Sequence, residues 1–216
     1  YTTGVSRPER ASEENKKSTL AVGDNASITV RNGQEFLIND IRPERSINVI
    51  KDTDTSNKPY IDLSAAKDEI DNISTRLAGV GDVGYALNGG ELNVTCGTGE
   101  CAYYNTTLDN IKKIGDIKIK GLASGSSLVI NIDCSNANTI NLPNIEVEGA
   151  QFNETNDFSH GRVILNLLNS AGKNVNLERT YASVIAPDAI ITANQNVNGS
   201  IIGKDVYIKA ENHRTT

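Results

Sequence analysis

Ala182-Ser-Val-Ile-Ala-Pro-Asp-Ala-Ile-Ile-Thr-Ala-Asn-Gln-Asn-Val-Asn-Gly-Ser-Ile-Ile-Gly-Lys-Asp-Val-Tyr-Ile208 carries a loose repeat. Val184, Ile190, Val197, Ile202 and Ile208 recur at spacings of 6, 7, 5 and 6. The apolar runs between the Asn, Gly and Pro breaks are too short for helices and fit short strands. Strands returning at so short a period predict the rungs of a parallel β-solenoid. Asn suits such a coil twice over, because it tolerates left-handed corners and stacks in polar ladders. The rival is a β-sandwich, whose strands return every 8 to 12 residues or so through longer connections.

Working upstream, the same texture continues. Asp116-Ile-Lys-Ile-Lys120 alternates strictly, as do Leu128, Ile130 and Ile132. Further strands are predicted at 139–142, 145–147, 162–168, 174–177, 182–185, 189–191, 200–202 and 206–208. Before residue 60 they are predicted at 19–22, 27–30, 36–38 and 47–50. Turns at Gly23, Asn25, Asn32-Gly33 and Pro43 separate these, and a polar loop follows the last.

One helix interrupts the pattern. Leu63, Ala66, Ile70, Ile73 and Leu77 form a single apolar stripe, predicting an amphipathic helix over about 62–78, roughly 24 Å long. Asp62 or Ser64 caps its start, Asp68 and Glu69 lie near its positive end, Arg76 sits in the last turn and Gly79 ends it. A rod with one apolar stripe should pack along a surface made by the rest of the chain. Residues 1–17, with Ser6-Arg-Pro-Glu-Arg at their centre, read as an exposed polar tail. Residues 18–216 read as one domain.

Composition narrows the function. Over 216 residues, Lys plus Arg is 21 and Asp plus Glu is 27, a net charge of −6. An acidic chain is a poor phosphate neutraliser, so nucleic acid is not expected as a partner. There is no Met or Trp, only 3 Phe, and 26 Asn. Ile, Val and Leu in thin layers suit such a chain better than a pocket lined with aromatic rings. No apolar run approaches the ~20 residues of a membrane helix. The chain starts at Tyr1 and reads as a mature or trimmed fragment, with any anchor outside it.

Several motifs bear on chemistry. Cys96 and Cys101 bracket the turn Gly97-Thr98-Gly99-Glu100 and are candidates for a small disulfide loop. The alternative is three free thiols, Cys134 included. Gly79-Val-Gly-Asp-Val-Gly84 matches a dinucleotide fingerprint in letters, but a helix precedes it and strand-like residues follow, the reverse of what pyrophosphate binding needs. Those glycines read as a helix stop and a turn into the sheet. Asp52, Asp54 and Ser56, with Asp62 beyond, resemble the start of a calcium loop without its glycine and terminal Glu, and read as a polar loop. Ser159-His160 and His213 form no nucleophile elbow. No catalytic residue, metal site or cofactor is expected. Sequons stand at Asn25, Asn72, Asn93, Asn105, Asn153 and Asn198.

Ile61-Asp-Leu-Ser-Ala-Ala-Lys-Asp-Glu-Ile-Asp-Asn-Ile-Ser-Thr-Arg-Leu-Ala78 resembles the entry into the amphipathic helix of the choice-of-anchor A domain, an adhesive domain of secreted and surface proteins. Ala182-Ser-Val-Ile-Ala-Pro-Asp-Ala189, Asn198-Gly-Ser-Ile-Ile-Gly-Lys-Asp-Val206 and Glu211-Asn-His213 resemble that family's closing pattern, and the strand at 162–168 sits where the family has a core strand. The likeness covers roughly residues 20–213. Of the family's Gly-rich opening rungs, only Leu20-Ala-Val-Gly-Asp24 has a counterpart, and Ala182 stands where Gly is common. The resemblance implies a β-solenoid with one helix packed along it, similar in layout to bacterial ice-binding domains. It also implies secretion, surface display and no active site.

The leading expectation is therefore a non-enzymatic, secreted or cell-surface adhesive domain that binds an extracellular matrix protein or glycan through an extended solenoid face. No individual binding residue can be named from sequence. The alternative is a structural wall, coat or matrix component that assembles with copies of itself. Ice binding fits poorly, because Thr95, Thr98, Thr106, Thr107, Thr139, Thr155, Thr180 and Thr192 do not recur at the rung spacing.

Overall fold

The computed structural model describes residues 62–150 and 161–213, with the backbone of four strands between residues 19 and 51. The chain divides into two compact units, residues 1–66 and 67–216. In the first, β1 (Thr19–Val22) pairs in parallel with β4 (Asn48–Lys51), while β2 (Ile28–Arg31) and β3 (Glu35–Ile38) form an antiparallel pair. All four lie within one residue of the predicted runs. The expected tail, the Asp52–Asp54–Ser56 loop and Ser159-His160 lie outside the described residues.

The helix forms as α1 (Leu63–Ala78), 16 residues running across the division between the units. Asp62 caps it, its Oδ1 accepting from the Ala65 N–H at 3.0 Å. Gly79 follows its last residue and donates to the Thr75 and Arg76 carbonyls at 3.1 and 3.3 Å. Two details differ from expectation. Asp68 and Glu69 fall beyond the first turn, which holds no acidic residue. Ala66, Ile70, Ile73 and Leu77 are half-buried rather than core residues.

The second unit is mainly β, built from three parallel ladders. The first stacks β7 (Cys101–Thr107), β9 (Ser127–Asp133), β12 (Arg162–Leu168) and the first halves of β14 (Ser183–Ala193) and β16 (Ile201–Ile208). The second stacks β10 (Thr139–Asn141), β13 (Asn174–Leu177) and the second halves of β14 and β16. The third runs from β5 (Tyr85–Asn88), antiparallel to β6 (Glu91–Val94), through β8 (Ile117–Lys120) to β11 (Ile145–Val147). It continues through bridges at Thr180 to β15 (Val197–Asn198) and β17 (Asn212–His213). The chain visits the three in a fixed order, as in β9, β10, β11 or β16, β17.

The sequence spacing between stacked positions varies along the chain and is shortest toward its C-terminal end. Asn105 meets Asn131 after 26 residues and Asn131 meets Asn166 after 35. Ser183 meets Ser200 after 17, and Asn198 meets His213 after 15. Alternate side chains of each strand point inward. Leu128, Ile130, Ile132 and Leu165 from the first ladder, Ile140, Val175 and Ile191 from the second, and Leu92, Ile119 and Ile145 from the third are all 0% exposed. Each contributes about 1.5–3 kcal/mol by burial, and Ile130→Ala would cost about 2–5 kcal/mol.

The main departure from the predicted pattern is α2 (Leu108–Ile114), which stands between β7 and β8 where later turns place a second-ladder strand. Thr107 caps it, Gly115 ends it at φ 75°, and Leu108 and Ile111 bury its inner side. Runs 182–185 and 189–191 are one strand, β14, with a register irregularity between Ala186 and Ile190. Runs 200–202 and 206–208 are likewise one strand, β16.

Candidate binding surface

Each ladder has an outer face, and the three differ in chemistry. On the first, Asn105, Asn131 and Asn166 stack in register. Asn131 Nδ2 donates to Asn105 Oδ1 and Asn166 Nδ2 to Asn131 Oδ1, each at 2.8 Å. The column is tied to α1 and the residues after it: Asn166 Nδ2 donates to the Ser74 carbonyl, Asn131 Nδ2 to that of Leu77 and Asn105 Nδ2 to that of Val80, all at 2.9 Å. The Ser74 hydroxyl donates to Asn166 Oδ1 at 2.6 Å. Lys67 bridges Asp71 and Asp188 at 2.6 and 3.2 Å, and these carboxylates raise its pKa. The helix therefore covers the Asn column of this face.

The third face is charged. Glu91, Lys118 and Glu146 align across its strands. Lys120 pairs with Glu91 at 2.6 Å and Arg179 with Glu146 at 3.6 Å. The Glu91 carboxyl is held below its usual range by Lys120, which is itself shifted up by Glu91. A groove of about 410 Å³ on this face is lined by Lys118, Lys120, Glu146, Glu148 and Arg179.

The second face is different again. One row aligns Thr139, Asn174, Ile190 and Asp205, and the next aligns Asn141, Asn176, Thr192 and Tyr207. Their strand neighbours Ile140, Val175 and Ile191 are fully buried, so these side chains project outward from a rigid floor. Asn176 Nδ2 donates to Asn141 Oδ1 at 2.7 Å. Thr139, Asn141, Asn174 and Asp205 are exposed, and Tyr207 is 55% exposed. The face offers amide and hydroxyl groups without paired charge.

The residues singled out from sequence are scattered. Cys96 and Cys101 are half-buried thiols next to the first and third ladders, and burial raises the Cys96 pKa. Cys134 is fully buried, which pushes its thiol up to about 11. Gly79–Gly84 end the helix and enter the sheet. Val83 bridges Tyr103. Gly84 adopts φ +75°, and a Cβ added there would lie only 3.2 Å from the Cβ atoms of Ala102 and Cys96. His213 is 9% exposed, with Nδ1 3.0 Å from Asn198 Oδ1 and Nε2 3.1 Å from Glu211 Oε2. The acidic-x-His motif is thus a clasp between β15 and β17.

Among the sequons, Asn105 is committed to the amide column and Asn198 is 2% exposed, while Asn72 is exposed. Of the eight threonines, Thr139 and Thr192 stand on the second face, in different rows, and Thr180 is buried. Among the described residues, no three His, Cys, Asp or Glu side chains gather as metal ligands, and no helix is long and apolar enough to cross a membrane. The outer rows were missed from sequence because recognising them requires the register between strands 15 to 35 residues apart.

A sequence model of the family described as "Putative Ice-binding-like adhesive domain" matches residues 1–214. The chain belongs to this family. The match supports the ice-binding-like layout and adhesive character expected from the C-terminal motifs; it does not extend to the choice-of-anchor A name. Outer membrane protein B of Rickettsia rickettsii is 28% identical over 135 residues, 57% of this chain and 8% of that protein. The chain thus spans less than a tenth of that relative. No solved structure matches this adhesive-family chain.

Proposed function

We propose that this chain is a β-solenoid adhesive domain, displayed on a cell surface, that holds an extracellular ligand through the outer face of its second ladder and catalyses no reaction. The stacked parallel strands and the fixed order in which the chain visits the three ladders support the solenoid. Family membership supports adhesion, and the rickettsial outer-membrane relative supports the location.

The observation that carries the choice of face is the pair of aligned rows ending in Asp205 and Tyr207. On the first face α1 covers the Asn column, and on the third Lys120 pairs with Glu91 and Arg179 with Glu146. Asn side chains both donate and accept, which suits a hydroxyl-rich glycan, and the exposed Tyr207 ring offers a flat apolar platform for a sugar. Affinity would come from many modest contacts on a preformed surface rather than from one deep pocket. Ice is disfavoured because the rows mix Asn, Thr, Ile, Asp and Tyr rather than repeating Thr.

The test is binding of the chain to immobilised extracellular glycans and matrix proteins. Saturable binding to a glycan class is the expected result. Saturation by a matrix protein instead would replace the ligand class, and no saturable binding to either would overturn the adhesive reading.

A further inference from the structure

Among the described residues, the far end of the first two ladders is an open edge: β16 pairs with β14 and with no other strand. Two of its core-facing side chains, Val206 and Ile208, are uncovered. Val206 aligns with Ile191 and Ile208 with Ala193, both 0% exposed, yet Val206 and Ile208 are 37% and 50% exposed. The near end is built otherwise: α2 stands in the second-ladder position, and the antiparallel strand β5 closes the third. An eight-residue edge with unpaired backbone groups and apolar side chains is a template for another strand.

The edge is complementary to itself. In an antiparallel pair about a two-fold axis between Lys204 and Asp205, Ile201 meets Ile208, Ile202 meets Tyr207, Gly203 meets Val206 and Lys204 meets Asp205. The facing directions agree as well. Ile201 and Gly203 align with the buried Val184 and Ala186 and so face the core, as do Val206 and Ile208. Ile202 and Tyr207 both face outward. This agreement depends on the irregularity between Ala186 and Ile190, which switches the side-chain alternation at Lys204. Lys204 and Asp205 are exposed, and neither has an ion-pair partner among the described residues.

We infer that two copies of this chain pair through β16 in this antiparallel, two-fold register, joining their cores end to end. Opposite charges meet twice across the axis, and each copy covers the other's Val206 and Ile208. The pairing does not depend on what ligand the domain binds. If the second face is adhesive, the dimer presents two such faces and gains avidity.

Sedimentation of the full chain over a range of concentrations tests this, with no ligand present. The wild-type chain is expected to show a monomer–dimer equilibrium. Lys204→Asp or Asp205→Lys alone sets like charges opposite each other at two places and should weaken the dimer about tenfold. The double variant K204D/D205K restores opposite charges and should recover the wild-type dissociation constant. Val206→Lys should abolish the dimer, with circular dichroism confirming the fold of every variant. A monomer at all concentrations, growth into open chains, or a double variant no tighter than the singles would each overturn the two-fold register.

Discussion

Asn131 and Asn166 form an amide pair, Nδ2 of Asn166 to Oδ1 of Asn131 at 2.8 Å, and both side chains also reach carbonyls of α1. Asn131 is 1% exposed and Asn166 0%. A buried amide without partners would be costly, and here each is satisfied by its neighbour in the column and by the helix. The Leu77 carbonyl lies in the last helical turn, where intrahelical donors run out, so Asn131 supplies one. The column fixes the helix by hydrogen bonds where the half-buried stripe alone would hold it loosely.

Asn131→Ala removes two donated bonds and one accepted bond at once. The expected cost is about 2–4 kcal/mol in urea unfolding. Faster amide exchange should appear in α1 before the ladders loosen. An unchanged exchange rate in α1 would show that the column does not hold the helix.

Much of the fold was legible in the chain, and the illegible part has a physical cause. From Ser183 onward, stacked positions are 15 to 17 residues apart and little but corners separates the strands, so apolar residues repeat visibly. Between Asn105 and Asn166, stacked positions are 26 and 35 residues apart, and the period disappears into the connections. α2 went unrecognised because Leu108, Ile111 and Ile114 span barely two turns inside a β-patterned region. The role of Asn in ladders was foreseeable from its abundance; which Asn residues stack, and which of them are tied to the helix, depends on register that no local pattern encodes.

The corner after β9 should respond to acid. Asp133 accepts from Asn169 Nδ2 at 2.8 Å and from the Ser135 N–H at 2.9 Å, and these bonds hold its carboxyl below the usual range. A depressed folded pKa contributes stability above about pH 4 that is lost as pH falls through the folded value. The stability difference between the wild-type chain and Asp133→Asn should therefore shrink on acidification. A difference that stays constant from pH 7 to pH 3 would remove Asp133 from that role.

The thiols should separate by burial. Cys134, pushed up to about 11, should resist maleimide at neutral pH until the chain unfolds. We further propose that Cys96 and Cys101 join under oxidising conditions, each thiol giving up one proton and one electron to an added disulfide oxidant such as oxidised glutathione. Mass spectrometry should then show an intramolecular link between the peptides carrying them. A link involving Cys134 instead would contradict both expectations.

Gly199 is where β15 turns toward β16. At φ +151°, a Cβ placed there would sit 2.2 Å from the Ala182 carbonyl oxygen. Gly199→Ala should destabilise the chain by about 3 kcal/mol or more, because the obstacle is backbone and cannot step aside. Gly172→Ala, at φ +69° with open space around it, should cost about 1–2 kcal/mol. Similar midpoints for the two in thermal unfolding would show that the corner relaxes more easily than its geometry indicates.

The most direct test of the adhesive face compares substitutions on two faces against the ligand class that saturates. Asn141→Lys and Asn174→Lys place long charged side chains on the second ladder's outer rows, and Lys118→Glu changes the third ladder's groove, while all three sites are exposed. Surface plasmon resonance on folded variants should show at least about a tenfold loss for the two Asn variants and little change for Lys118→Glu. Full binding by both Asn variants, with loss confined to Lys118→Glu, would contradict the account.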